Sequence, residues 1–215
     1  MLRRRSPAGF PWPRRRPFVY TPARSLSVCF FGTDEVSVFV LEALVESLRG
    51  RGLHAGLVTK LGVVTLGDRP VGRNKKGSLP AAEVAAREGL KTWLVPHGLR
   101  TLKDWTPPHA LEQWEVGVVA SFGFKLPAHI LGTLDGGAIN VHPSLLPRYR
   151  GAAPVPHALL NGDATTGVTI MRIHPDVIDA GEILKQIEVP IKEHDTSARQ
   201  VILLRSPSMG DHAAW

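Results

Sequence analysis

Asn140 and His142 stand two positions apart in Asn140-Val141-His142-Pro143-Ser144-Leu145-Leu146-Pro147, and Asp179 follows 37 residues after the histidine. A carboxamide, an imidazole and a carboxylate are what acyl transfer requires: a donor for an oxyanion, an acid/base, and a group that orients it. Gly136-Gly137-Ala138-Ile139 predicts a short buried strand running into Asn140. Side chains two apart on a strand share a face, spaced by ~6.6 Å along the chain, so both can address one substrate atom. Pro143 cannot continue the ladder. The pair is therefore expected at the strand's carboxyl end, where open α/β sheets bind their ligands. A lone Asn-x-His more often marks a strand end satisfying its own backbone. The length of the run, the Arg148-Tyr149-Arg150-Gly151 behind it, and Asp179 within Ile178-Asp179-Ala180-Gly181 favour the chemical reading.

The flanking pattern says what positions these groups. Residues 25–31 form an apolar strand that ends in the tight turn Gly32-Thr33, where Thr33 or Asp34 can cap a helix. In that helix Val36, Phe39, Val40, Ala43, Leu44 and Leu48 recur with the rhythm of one buried stripe, and Gly50 marks its end. Residues 53–59 read as a second strand, and a Gly/Pro/Lys/Arg-rich stretch, 60–79, then interrupts the pattern. A helix over 80–88, strands over 91–95, 116–120 and 136–141, a helix over 153–161, and strands over 166–173 and 183–190 complete it. Alternating strands and helices predict an α/β fold: a Rossmann-like, doubly wound, mostly parallel sheet.

Composition bounds the function. A chain of 215 residues suffices for one sizeable α/β domain and not for two. No apolar run approaches the ~18 residues of a membrane span, so no membrane partner is expected. Cys29 is the only cysteine, which excludes an intrachain disulfide framework or thiolate zinc site. Nine histidines raise the question of a metal, but no His-x-Glu or His-Glu-x-x-His occurs, and none is expected. His174 alone, near Asp179, is a candidate for a supporting role. Gly72 and Gly77 have P-loop spacing, but Ser78 stands where the phosphate-binding lysine belongs.

The net charge of +7 is concentrated at one end. Residues 1–33 hold seven arginines (3, 4, 5, 14, 15, 16 and 24) and no acid, and the remainder balances 19 basic against 19 acidic side chains. An Arg-rich, acid-free arm over 1–24 fits an organellar transit peptide, although prolines 7, 11, 13, 17 and 22 depart from the usual amphipathic helix.

The runs NVHPSLLPRYRGAAP, NGDATTGVTIMRI and DAGEIL, in that order, resemble the folate-dependent formyltransferases, and within them the branch that acts on methionyl-tRNA. The resemblance covers about 26–204. It implies a formyl group passed from 10-formyltetrahydrofolate to the α-amino group of methionine on initiator tRNA, in the mitochondrial matrix, with no metal and no obligate protein partner. It assigns catalysis to Asn140, His142 and Asp179. It assigns folate contact to Phe122, Gly123 and Phe124 and to Ser144, Leu145, Leu146 and Pro147. The basic segment holding Arg69, Arg73, Lys75 and Lys76 resembles the loop with which that branch reaches the tRNA acceptor stem; as an anonymous loop it would read as solvated surface. The expected division is an arm over 1–24, a catalytic domain over 25–204 and a divergent tail over 205–215. The helix opened by Asp195 stops resembling the family at Arg205-Ser206-Pro207, and the family's usual barrel-like tRNA-binding domain is not expected here. Two alternatives stay open: another folate-dependent formyl transferase or hydrolase, and an inactive, truncated form of the tRNA enzyme.

Overall fold

Strand β1, Leu26–Gly32, divides the molecule into its two cores. Its side chains alternate between the faces of the sheet. Val28 and Phe30 join Leu41, Val45, Val84 and Ala85 on one side. Cys29 and Phe31 join Trp93, Trp114, Phe122 and Leu134 on the other. The computed structural model describes residues 25–67, 69–70, 76–105 and 114–197. The arm over 1–24, Arg73 and Lys75, and the tail over 205–215 lie outside the described residues, as does nearly all of the helix expected after Asp195.

Beyond β1 the chain runs through α1 (Glu35–Leu48), β2 (Val58–Leu66), β3 (Arg69–Pro70), β4 (Lys76–Gly77), α2 (Pro80–Arg87) and β5 (Lys91–Val95). It continues through β6 (Val116–Ala120), α3 (Ala128–Leu131), β7 (Ala138–His142), α4 (Pro154–Leu160), β8 (Thr165–Arg172) and β9 (Ile183–Pro190). Among the described residues, seven strands form one sheet in the order β5-β2-β1-β6-β7-β8-β9. The five strands from β5 to β7 run parallel. Strands β8 and β9 are added antiparallel. The sheet is thus mostly parallel and doubly wound, with the reversal of strand order between β1 and β6, a position that opens a crevice at the carboxyl ends.

Two elements differ from the sequence pattern. The second strand is Val58–Leu66, not 53–59. Leu53 lies in a turn and is 74% exposed, whereas Leu61, Val63, Val64 and Leu66 carry the burial. The glycines and charges around 60–79 masked this apolar, β-branched run. Helix α1 is also phased differently: Ser37, Leu41 and Val45 face the core. Val36, Phe39, Val40, Ala43 and Leu44 are not buried and line, with Ile139 of β7, an apolar groove of about 1010 Å³, although Val40 and Leu44 also pack against the core. The apolar arc of α1 is wider than one core-facing stripe, so periodicity alone does not choose its centre.

The end of β1 is tied directly to the end of β6. Asp34 caps α1 through Oδ1, which accepts from the Val36 and Ser37 N–H groups at 3.1 and 3.2 Å. Its other oxygen accepts from the Ser121 hydroxyl. Thr33 Oγ1 donates to the Phe122 carbonyl at 3.0 Å. These bonds join the two βα turns that border the crevice.

Candidate active site

Strand β7 ends at His142, and Asn140 and His142 are where the alternation of the strand places them. Strand β8, antiparallel to β7, delivers the chain to the loop 174–182 beside them; Ile173 N–H donates to the Ala138 carbonyl at 2.9 Å as that loop begins. The loop turns back because His174 Nδ1 accepts from the N–H groups of Asp176 and Val177, at 3.1 and 3.3 Å. Lys125, from the segment after β6, donates to the Asp176 carbonyl at 2.8 Å. Asp179 then adopts φ = 47°, a left-handed conformation that aspartate tolerates better than most residues. A Cβ at Gly181 would strike the carbonyl of Arg172, so the chain can re-enter the sheet there only as glycine. His174 therefore shapes the loop's backbone through these two bonds.

The three expected side chains meet. Asn140 Nδ2 donates to Asp179 Oδ1 at 3.3 Å. His142 Nε2 lies 3.2 Å from Asp179 Oδ2, with the two side chains only 6% and 11% exposed. The Gly151 N–H, absent from the sequence reading, donates to the same Oδ2 at 2.8 Å, and the Gly151 carbonyl lies 3.3 Å from His142 Nε2. One residue thus touches both the acid and the imidazole through its backbone. The loop carrying it holds two further left-handed residues, Tyr149 and Ala153. Below it Arg148 and the Tyr149 hydroxyl both bond Asp163, at 2.8 and 2.7 Å, which secures the loop from outside.

Burial alone would raise the Asp179 carboxyl, but the hydrogen bond with His142, the Gly151 N–H, the charge of His142 and the Asn140 amide outweigh it. The group ends below the ordinary carboxylate value. A lowered native value means stability that is fully present above the unfolded carboxyl pKa of about 3.9 and is lost as pH falls through the native value. Asp179→Asn is accordingly expected to unfold more easily than the parent at neutral pH, with the gap closing below about pH 4 as the parent's own carboxyl protonates. Urea midpoints between pH 3 and 7 measure this. A gap that stays constant across that range contradicts the assignment.

Asn140 has a second amide proton beyond the one given to Asp179. The arrangement can therefore donate to a developing oxyanion, hold an imidazole, and take up a proton at an ionised carboxylate.

The residues expected around a folate divide into two groups. Gly123 and Pro147 are exposed, and Phe124 and Leu145 half-buried. Phe122 is 2% exposed and packs edge-on against Phe31 with centroids 5.5 Å apart, so its ring is core. Ser144 and Leu146 are buried too. The Leu146 N–H donates to Thr169 Oγ1 at 3.1 Å, and its carbonyl accepts from Gln186 Nε2 at 2.8 Å. Gly123, Phe124, Leu145 and Pro147 thus present surface, whereas the side chains of Phe122, Ser144 and Leu146 face the interior.

Of the four basic candidates, Arg69 and Lys76 sit on β3 and β4, which pair antiparallel as Arg69↔Gly77 and Pro70↔Lys76. Arg69 and Lys76 therefore lie on the two arms of a small hairpin that is not part of the seven-stranded sheet. Among the described residues no group of His, Cys, Asp and Glu is arranged to hold a metal ion. No helix of the described residues is long and apolar enough to cross a membrane.

Comparison with known proteins gives a family model described as "Formyl transferase", which matches residues 26–202. The mitochondrial methionyl-tRNA formyltransferase of Rattus norvegicus is 39% identical over 199 residues, covering 89% of this chain and 45% of that protein. The mitochondrial human counterpart is 41% identical, covering 79% of this chain and 39% of that protein. A methionyl-tRNA formyltransferase of Listeria welshimeri is 41% identical, covering 79% and 51%. The chain thus spans about half the length, or less, of these curated relatives. Among solved structures, phosphoribosylglycinamide formyltransferases share the fold. The Anaplasma phagocytophilum protein has TM-score 0.66 at 21% identity, covering 85% of this chain and 80% of that one. The Bacillus halodurans protein has TM-score 0.64 at 22% identity, covering 86% and 91%.

Proposed function

Because the chain belongs to the formyl transferase family, matched from residue 26 to residue 202, we propose that it moves a formyl group from 10-formyltetrahydrofolate to the α-amino group of methionine on initiator tRNA. The observation that carries this reading is the closed arrangement of Asn140, His142 and Asp179 at the carboxyl end of β7. The amine, in its neutral form, attacks the formyl carbon and gives a tetrahedral intermediate with negative charge on oxygen. The second Asn140 proton and the His142 Nε2 proton stabilise that oxygen. Asp179, ionised because its hydrogen bonds outweigh its burial, accepts the proton released by the attacking amine. The proton needed by the departing folate nitrogen comes from His142. Each oxyanion donor of this kind contributes roughly 3 kcal/mol to barrier lowering.

The donor is assigned by family membership, with Gly123, Phe124, Leu145 and Pro147 as its contacts. Support for a tRNA acceptor over a small amine comes from the relatives named as methionyl-tRNA enzymes at about 40% identity. The decisive experiment is formylation by the purified chain, with methionyl-tRNA, free methionine and glycinamide ribonucleotide competing as acceptors. Formyl-methionyl-tRNA as the dominant product supports the reading. Preferential formylation of glycinamide ribonucleotide, or release of formate alone, replaces it.

Mitochondrial import belongs to the same proposal. Its support is the seven arginines and no acid over 1–33, together with the mitochondrial rat and human relatives. Removal of residues 1–24 is expected to leave the domain folded and to abolish import, as followed by fluorescence of a tagged chain. The untruncated chain spread through the cytosol would count against targeting.

A further inference from the structure

Ser144 is fully buried, two residues beyond His142, and its hydroxyl sits between two partners. Its Oγ lies 2.8 Å from the Arg148 carbonyl and 3.0 Å from His142 Nδ1. A carbonyl can only accept, so the single hydroxyl proton goes to Arg148, and Oγ is left as an acceptor facing Nδ1. The ring nitrogen must then donate. On the other side of the imidazole, Nε2 faces the Asp179 carboxylate and the Gly151 carbonyl, which are also acceptors. Both nitrogens thus face acceptors, and they differ in burial, the Nδ1 contact being buried and the Nε2 contact with Gly151 only partly so. The Nδ1 proton is held in a buried bond, and the Nε2 proton is the one that borders the crevice.

The serine is itself held from behind. Thr169, fully buried on β8, donates through Oγ1 to the Ser144 carbonyl at 2.7 Å. The same oxygen accepts from the Leu146 N–H at 3.1 Å and from Gln186 Nε2 at 2.9 Å. Gln186, on β9, uses its second amide proton on the Leu146 carbonyl at 2.8 Å. The backbone of 144–146 is pinned by one threonine and one glutamine reaching across two antiparallel strands.

From this geometry we infer that Ser144 is the positioning residue of His142: it fixes the Nδ1–H form of the ring, so that Nε2 is the nitrogen that exchanges a proton with Asp179 and substrate. Thr169 and Gln186 hold it in place. This rests on the formyl-transfer reading for its consequence in turnover, but not for the protonation of the ring. It also separates Ser144 from folate contact, since the side chain has no exposed surface and its proton is committed.

The test reads both quantities in the full chain and in Ser144→Ala, a substitution that removes one atom and adds none. In ¹H–¹⁵N spectra of ¹⁵N-histidine-labelled protein, the parent is expected to show an exchange-protected Nδ1–H of His142 at both pH 6 and pH 8, and Ser144→Ala to lose it. In turnover, kcat is expected to fall about tenfold to a hundredfold, the scale of a displaced catalytic group, with KM for the folate donor unchanged. An Nδ1–H that is missing in the parent, or that survives in Ser144→Ala with the same shift, overturns the proposal. A raised folate KM with an undisturbed ring returns Ser144 to the ligand wall and also overturns it. A parent that shows the Nδ1–H signature, lost in Ser144→Ala, but no formyl transfer to any acceptor leaves the positioning role standing and removes the reaction assignment instead.

Discussion

Asn140→Ala, His142→Ala and Asp179→Ala are each expected to lower formyl transfer by at least about a hundredfold, with the folded state retained. The three reduce turnover for different reasons. Asn140→Ala removes the amide that donates to Asp179 and, in the proposed mechanism, to the oxyanion. His142→Ala removes what the proposed mechanism uses as second oxyanion donor and proton source, leaving Asp179 with the Gly151 N–H and Asn140. Asp179→Ala removes the acceptor that gathers Asn140, His142 and Gly151 around one carboxylate. Because these groups meet at a single point, the losses cannot be additive. A double variant should fall little below its worse single parent, as found wherever residues act as a unit. Single-turnover rates with methionyl-tRNA, beside circular dichroism to verify folding, measure this. A folded His142→Ala protein with near-parental turnover would remove the mechanism.

Why the pair on β7 was legible and Asp179 only half so is a matter of backbone. Asn140 and His142 lie on one strand, whose two-residue period fixes their common face without reference to the rest of the fold. Asp179 reaches them from a loop that leaves β8, and that geometry depends on a left-handed residue and on a glycine with no room for a Cβ. Resemblance could nominate the aspartate; spacing could not have placed it. The Gly151 peptide left no signal at all, since it acts through its backbone atoms. Ser144 was visible as part of a motif, but its burial was not: which way a side chain turns after a strand end is decided by partners such as Thr169 and Gln186, 25 and 42 residues further on.

The fold shows the same division. Strands β1 and β6 and helix α2 follow from apolar runs bounded by glycine or proline, and they fall where the pattern put them. Strand β2 differs from the pattern because Thr59 and Lys60 are exposed near its start, while all of its buried residues except Val58 lie beyond them. Nor does any local signal say that β8 and β9 should join the sheet antiparallel. That orientation is what brings the Thr169 hydroxyl against the segment after His142. The non-local part of the topology is thus the part on which the site's supporting bonds depend.

Replacing Arg69, Arg73, Lys75 and Lys76 by alanine should weaken tRNA binding at low salt and flatten its salt dependence. The expectation comes from charge placement. Beyond residue 33 the chain carries as many acids as bases, so a general electrostatic attraction for RNA is not available to the body of the protein. A local concentration of positive charge must supply it. The pairing of β3 with β4 sets Arg69 and Lys76 at neighbouring register positions on the two arms of a hairpin. Arg73 and Lys75 fall in the sequence between those arms. Phosphate contacts of this kind position an RNA without reading its bases, and each one lost removes roughly 0.9 from the slope of log affinity against log salt on duplex nucleic acid. Filter binding from about 50 to 200 mM salt should therefore show the parent's slope reduced in the quadruple variant, while binding of the proposed folate donor, whose proposed contacts follow β6 and β7, is unchanged. Formylation of methionyl-tRNA should fall through KM rather than kcat, because phosphate contacts position the RNA and take no part in the chemistry. An unchanged slope with unchanged affinity would make this hairpin an ordinary solvated surface and require the RNA to be held elsewhere.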